Sequence, residues 1–284
     1  MPKALARDAD PRGRAGFARA AVSTWVLRLV GLSYLALILA APVGLVFWRT
    51  FEHGVGPAWD AVTTPAAKHA FLVTIIIAAI AVPANTILGV ICALAIVRRR
   101  FPGKGIVNAL VDLPLALSPV VVGLAFLLLY GRNGWFGSWL TEHGVQIVFA
   151  LPGMILVTIF VSLPFVVREV VPVLREIGTE QEQAAATLGA SGFQTFRRVT
   201  LPAIRWAVSY GVVLTTARAL GEFGAVSVVS GHIVGKTETA TLHVEERFQS
   251  FDYTGAYAAS VVLALLAIAT LLGMTLFKPK EAIR

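Results

Sequence analysis

The chain has 284 residues, of which 57% are hydrophobic and 14% charged, with a mean hydropathy of +0.77 and a formal net charge of +8. A soluble domain carries about 25% charged residues, so this composition excludes an ordinary soluble globular protein and places the chain in a bilayer. The single cysteine, Cys92, lies in an apolar run, which excludes an intrachain disulfide and a cysteine-based metal cluster.

In chain order, residues 1–28 form a basic tail containing Lys3, Arg7, Arg12, Arg14, Arg19 and Arg28. It is read as a cytoplasmic tail whose arginines set topology and meet anionic lipid, because no aromatic interleaving or nucleic-acid motif accompanies them. The apolar run that follows, 29–48, is longer than a signal-peptide core and ends in FWRTF with no small-x-small cleavage pattern. It is expected to stay attached as a first span. A spanning helix needs about 20 apolar residues, and further uncharged runs of that size occur at 70–97, 113–131, 145–167 and 253–277. A sixth span is expected at 204–230, although Arg205, Arg218 and Glu222 interrupt it. Pro83, Pro114, Pro119, Pro152 and Pro164 are expected to mark kinks.

Between the fourth and fifth spans lies a polar, alanine-rich stretch, EQAAATLGASGFQTFRRVTLP, at 182–202. Thr179, Glu180 and Glu182 suit a helix N-terminus, and the alanines favour helix. The turn-permitting run from Gly189 to Gly192 follows, then Phe193, Phe196 and Val199 at helical spacing before a Leu201-Pro202 stop. Two short helices at an angle, joined by glycine, are predicted. Their apolar side chains have no lipid to enter, so a groove on another protein is the expected destination, in preference to a bulkier, Lys-rich helix lying on lipid.

Arg218 and Glu222 are four residues apart, so they are predicted to share a helix face with Gly211, Thr215 and Ala225. Each charge costs about 2.5–3.5 kcal/mol at the centre of a span, so neither should face lipid. Two readings stay open: an internal ion pair that fixes packing, or an Arg218 that lines a polar path with Glu222 holding it. Asp112 is read as structural, near the boundary of the third span. GHIVGKT at 231–237 is one residue short of a phosphate-binding loop and has no preceding soluble strand. With no HExxH, no GxSxG and no paired acidic cluster, no catalytic residues, no metal site and no cofactor are expected in this chain.

Taking six spans, eighteen of the 24 Lys and Arg residues fall on one set of flanks and five on the other, with Arg218 in the membrane. The rule that cytoplasmic flanks carry the excess predicts both termini inside. With five spans the C-terminal cluster Lys278, Lys280 and Arg284 would fall outside. The histidines His53, His69, His143, His232 and His243 are then expected in outer loops.

Gln183-Ala184-Ala185-x-x-x-Gly189, followed after nine residues by Val199-x-Leu201-Pro202, closely resembles the E-A-A-x-x-x-G-(x)9-I-x-L-P signature of ABC importer permeases. Gln183 stands where that signature has Glu, and Val199 where it has Ile. The resemblance implies an all-α membrane protein with six transmembrane helices and the MetI-like, type I importer architecture. It also implies that about 178–202 forms cytoplasmic coupling helices docked on an ATPase, within a permease domain of 29–277 followed by a cytoplasmic tail of 278–284. TTARALGEFGAVSVVSG at 215–231, with GKTETATLHVEERFQSFDYTGAYAAS after it, resembles sulfate/thiosulfate permeases of the CysW type. The core ARALGEFGA is shared with molybdate and tungstate permeases. The family implies an inner-membrane location, a CysT-type permease partner, two ATPase subunits that use ATP and Mg, and an extracytoplasmic sulfate-binding protein. Thr215, Arg218, Gly221 and Glu222 are the candidates for the translocation path or the intramembrane pair. An ion-coupled secondary transporter, the competing class, would show internal repeats and more intramembrane ionisable residues.

Overall fold

The computed structural model describes residues 25–277; residues 1–24 and 278–284, which hold most of the two basic tails, lie outside the described residues. The chain divides into two compact units, Met1–His53 and Gly54–Arg284. The described part of the first unit is one helix, α1, Trp25–Phe51. Its large apolar side chains, Leu29, Leu32, Leu37 and Trp48 among them, are exposed around its whole circumference, the pattern of a helix whose solvent is lipid.

The described second unit is also all helical. α2 (Val55–Thr63) leads into α3 (Pro65–Arg98), then α4 (Lys104–Ala116), α5 (Pro119–Tyr130), the short α6 (Gly137–Glu142) and α7 (Leu151–Glu176). The short α8 (Glu180–Thr187) precedes the long α9 (Gly192–Leu220), followed by α10 (Gly224–Ser230), α11 (Ala240–Gln249) and α12 (Tyr253–Phe277). Helix α7 is the centre of the unit, packed against both α3 and α9. Glycines set the distance: a Cβ on Gly89 of α3 would come within 2.6 Å of Val166 Cβ, and one on Gly211 of α9 within 2.9 Å of Val166 Cα. Close backbone approach at small residues is how helices gain dispersion contacts where lipid removes the hydrophobic drive. Below this layer Val167, Val170, Leu174, Ile96 and Ile204 close the core.

Four helices are long and apolar enough to span by themselves, and six spans result if each of two bent pairs counts as one. The predicted span 113–131, in which Pro114 and Pro119 are expected to mark kinks, is not one continuous helix: α4 and α5 meet at 114°, and the break falls at Leu117 and Ser118, both in extended conformation. The cause is Pro119, which forces the residue before it out of the helical region and then starts α5 at its first turn. Residues 113–116 thus belong to α4. The 204–230 region is likewise two helices, bent by 52° between Leu220 and Gly224. The fourth span begins at Leu151 rather than 145, because 145–150 is not helical and Pro152 occupies the first turn of α7. Pro119 and Pro152 therefore start helices, whereas Pro83, Pro114 and Pro164 lie inside them.

Pro202 is not a stop. Helix α9 runs through it, because the turn before it, Phe196–Thr200, is widened into a π-helix in which the Leu201 N–H bonds to the Phe196 carbonyl. The same device precedes Pro42 in α1, where the Ala41 N–H bonds to the Ala36 carbonyl. A proline ring clashes with the carbonyl four residues back, and a five-residue turn moves that carbonyl aside.

Candidate functional site

Two charged clusters hold the site residues expected from the sequence. The first is the elbow between α7 and α9. Helix α8 ends in a left-handed Gly189 with φ +84°, and the N–H groups of Gly189 and Ala190 bond to the carbonyls of Ala186 and Ala185 at 3.0 Å each. This is the Schellman arrangement, and a left-handed residue is what it requires. The next helix opens on a capping box: Ser191 Oγ accepts the Gln194 N–H, and Gln194 Oε1 accepts the Ser191 N–H at 2.8 Å. A termination motif and an initiation motif two residues apart make the turn rigid. Thr179, expected to cap α8, accepts no backbone N–H and instead accepts the Gln183 side-chain amide at 3.1 Å.

The acidic residue that matters structurally is Glu182. Its Oε2 lies 2.9 Å from Arg98 Nε at the end of α3, and its Oε1 accepts the Thr200 hydroxyl of α9 at 2.9 Å. Arg98 also donates from Nη1 to the Leu174 carbonyl of α7 at 2.9 Å. One carboxylate thereby ties α8 to α3, α7 and α9. Charge counting treats Arg98 only as one of the eighteen flanking cations, and helix propensity treats Glu182 only as a favourable residue near a helix N-terminus; the hint in the sequence is a glutamate at the head of a neutral alanine run. Of the signature residues, Gln183, Ala184, Gly189, Leu201 and Pro202 are exposed, while Ala185 and Val199 are half-buried. Leu188 is 88% exposed and Phe193 71% exposed, on either side of the elbow, whereas Phe196 packs against the core. A recess of about 510 Å³ lies between the end of α3, α8 and the start of α9, bordered by Arg98, Glu182, Ala186 and Phe196.

The second charged place is the break between α9 and α10. Arg218 Nη2 lies 2.7 Å from Glu222 Oε2, with the arginine side chain 28% exposed and the glutamate side chain 1%. The ion pair is as the spacing predicted, but the common helix face is not. Helix α9 ends at Leu220, so Glu222 sits in the connection and Ala225 in the next helix. Glu222 Oε1 accepts the Ala225 N–H at 2.9 Å, and its backbone carbonyl accepts the Thr241 hydroxyl at 2.8 Å. It thus stabilises the positive start of α10 and ties α11 to the break. Gly221 is exposed, and Thr215 is wholly buried. Asp112 on α4 pairs with Arg168 on α7 at 2.5 Å, a link between helices in keeping with a structural role.

The GHIVGKT loop folds on itself: the N–H groups of Lys236, Thr237 and Glu238 all point at the Ile233 carbonyl, within 3.2 Å, and so are not presented to a phosphate. The histidines are not all loop residues. His69 lies in α3, and His243 lies in α11, 2% exposed, with Nδ1 3.0 Å from Glu238 Oε1. Glu238, His243 and Glu246 each bring one ligand atom within 4.8 Å of the others. Glu246 receives Arg247 Nε at 3.3 Å and the Ser250 hydroxyl at 3.2 Å, while Glu238 Oε2 is buried without a hydrogen-bond partner.

Residues 85–282 match the family described as binding-protein-dependent transport system inner membrane component. The sulfate transport system permease protein CysW of Synechocystis sp. is 50% identical over 247 residues, covering 87% of this chain and 90% of the relative. The sulfate transport system permease protein CysT of Salmonella typhimurium is 41% identical over 234 residues, covering 82% and 84%. Among solved structures, a chain of a bacterial ABC transporter involved in import of the acidic polysaccharide alginate superposes with a TM-score of 0.77 at 18% identity, covering 93% of this chain and 97% of the other. At that identity the likeness speaks for the fold alone.

Proposed function

This chain belongs to the binding-protein-dependent transport system inner membrane components, and on that footing we propose that it is the permease subunit of an ATP-driven sulfate/thiosulfate importer. The observation that carries the reading is the identity to sulfate permeases along nearly the whole chain, at 50% to a CysW and 41% to a CysT. Molybdate or tungstate import, and ion-coupled secondary transport, are not favoured by it. The chain is a multi-pass membrane protein of the all-helical, MetI-like type.

In this proposal each bent pair is one span, giving six, and the excess of Lys and Arg on one set of flanks puts both termini in the cytoplasm. The 178–202 elbow is then cytoplasmic and docks on an ATPase subunit. Leu188 and Phe193 supply the apolar contact, and Gln183 and Ala184 a neutral rim. ATP and Mg act on that partner, and no cofactor is assigned to this chain. Closure of a pair of ATPase subunits pulls on α8. The Glu182–Arg98–Leu174 linkage transmits that pull to α3 and α7, while Thr200 and the unbroken helix through Pro202 transmit it to α9.

A dianion crossing hydrocarbon needs donors and positive charge along a wet path. Arg218, part exposed beside the exposed Gly221, is the group proposed to face it, and Glu222 holds the guanidinium in place. A CysT-type chain is proposed to supply the other half of the path, and an extracytoplasmic binding protein to deliver the anion. Competition tests the substrate: labelled sulfate uptake by the reconstituted complex is expected to be inhibited strongly by thiosulfate and weakly by molybdate. Stronger inhibition by molybdate would reassign the substrate.

A further inference from the structure

Hydroxyl side chains inside the bundle mostly bond to a carbonyl of their own helix four residues back, as Thr74, Thr158 and Thr216 do at 3.0, 2.8 and 2.7 Å. Ser162 on α7 and Thr215 on α9 do not. Both are 0% exposed and neither hydroxyl has a protein partner. Asn85 on α3 is also 0% exposed, and both its Nδ2 and its Oδ1 are unpartnered. A buried polar atom without a partner costs about 1–3 kcal/mol, so four of them in one bundle require an account.

Their positions supply one. Gly89, Val166 and Gly211 form a single contact layer across α3, α7 and α9. The C-terminal ends of α3 and α7 lie together, joined by Arg98 to Leu174, and the start of α9 joins them through Thr200. α3 and α7 are therefore parallel and α9 antiparallel to both. Asn85 is four residues before Gly89, Ser162 four before Val166, and Thr215 four after Gly211. Each is thus about 6 Å, just over one turn, from the same layer in the same direction and on the same face. Three unrelated places in the sequence put unpartnered polar side chains at one level of the bundle, two of them having passed over the carbonyl that other hydroxyls take.

We propose that Asn85, Ser162 and Thr215 form a binding site for internal water that bridges α3, α7 and α9. The chemistry selects water over an ion: an amide and two hydroxyls carry no formal charge, so a charged ligand enclosed there would stay uncompensated. Together they offer both donors and acceptors, which matches the two to four bonds a buried water makes. On α9 the site lies one turn from Arg218 and extends that helix's polar face toward the elbow. The assignment does not depend on which anion is carried.

The direct test is electron cryomicroscopy of the full-length chain, in lipid nanodiscs and in the assembly it purifies with, at a resolution that shows ordered water. The expected result is density within about 3 Å of at least two of Asn85 Nδ2, Ser162 Oγ and Thr215 Oγ1. Side chains bonded to one another or to their own helix carbonyls, with no such density, would overturn the proposal. Thr215→Val gives a second readout because it keeps the shape and removes the hydroxyl. A bridging water predicts a fall of a few degrees in the unfolding midpoint. It also predicts that Asn85→Leu/Thr215→Val falls by less than the sum of the single variants. An unchanged or raised midpoint in Thr215→Val would mark a dry, unsatisfied hydroxyl and contradict the site.

Discussion

The two charged places in this bundle hold their carboxylates in opposite ways. Glu222 is tied by groups close in sequence, Arg218 four residues before it and the Ala225 N–H three after, and its partner is part exposed. Glu182 is tied by groups far away, Arg98 and Thr200, 84 and 18 residues distant, and its own helix contributes nothing to the clamp. A local pair can hold a break open and keep a guanidinium aimed without committing the bundle to one arrangement. A long-range clamp joins four helices, so that whatever moves one moves all. The first suits a path and the second a lever.

The largest effects are expected at the break. Removing either partner of a buried pair costs about 3–5 kcal/mol, whereas removing both relieves much of that. Arg218→Ala and Glu222→Ala are each expected to lower the yield of assembled complex, measured by size-exclusion chromatography. Arg218→Met/Glu222→Leu is expected to recover assembly but not sulfate uptake. Near-normal uptake in the double variant would reduce the pair to packing and erase the contrast with Glu182.

At the elbow the expected loss is of transport without loss of the chain. Leu188→Asp places a charge on a side chain that is 88% exposed in this chain, so insertion and folding should be normal while ATP-coupled uptake and ATPase co-purification fail. Ala185→Asp should lose coupling too, with some loss of stability because Ala185 is half-buried. Gly189→Glu adds the strain of a left-handed residue, about 1–2 kcal/mol, which Gly189→Asn largely avoids. Equal uptake by the aspartate variant and wild type would remove Leu188 from the docking surface.

The clamp itself should be intermediate. Glu182→Gln weakens charge-assisted bonds worth about 1.5–3 kcal/mol, and should cut the ATPase stimulation by substrate more than it cuts basal ATPase activity. Proportional loss of both would mean that Glu182 holds the fold and carries no signal. Gln183→Glu should do least, within about 0.5 kcal/mol in stability, because Gln183 is exposed and bonded only to Thr179. A large loss of coupling there would show a partner surface built around the neutral amide.

What could be foreseen follows the same local and distant division. Apolar runs, the glycine elbow and the Arg218–Glu222 contact depend on residues within a few positions of one another, and each is present. The Glu182–Arg98 clamp depends on chain segments brought together only by packing. Pro119 marks the place of the bend at Leu117 and Ser118, but hydropathy reports how apolar a run is and not its direction, so the size of that bend, 114°, is not legible in the sequence. The prolines misled in a specific way: Pro202 reads as a stop until the π turn before it is seen. Charge counting reads His243 as a loop residue because it locates a residue by side of the membrane and says nothing of burial.

The central claim is that this chain moves an oxyanion only when an ATPase pulls on its elbow. The measurement that meets it head-on is labelled sulfate uptake into proteoliposomes holding the chain with the proposed permease, ATPase and binding-protein partners, with and without ATP. The account predicts accumulation with ATP and binding protein together, and background uptake when either is withheld. Uptake of the same size without ATP would contradict it.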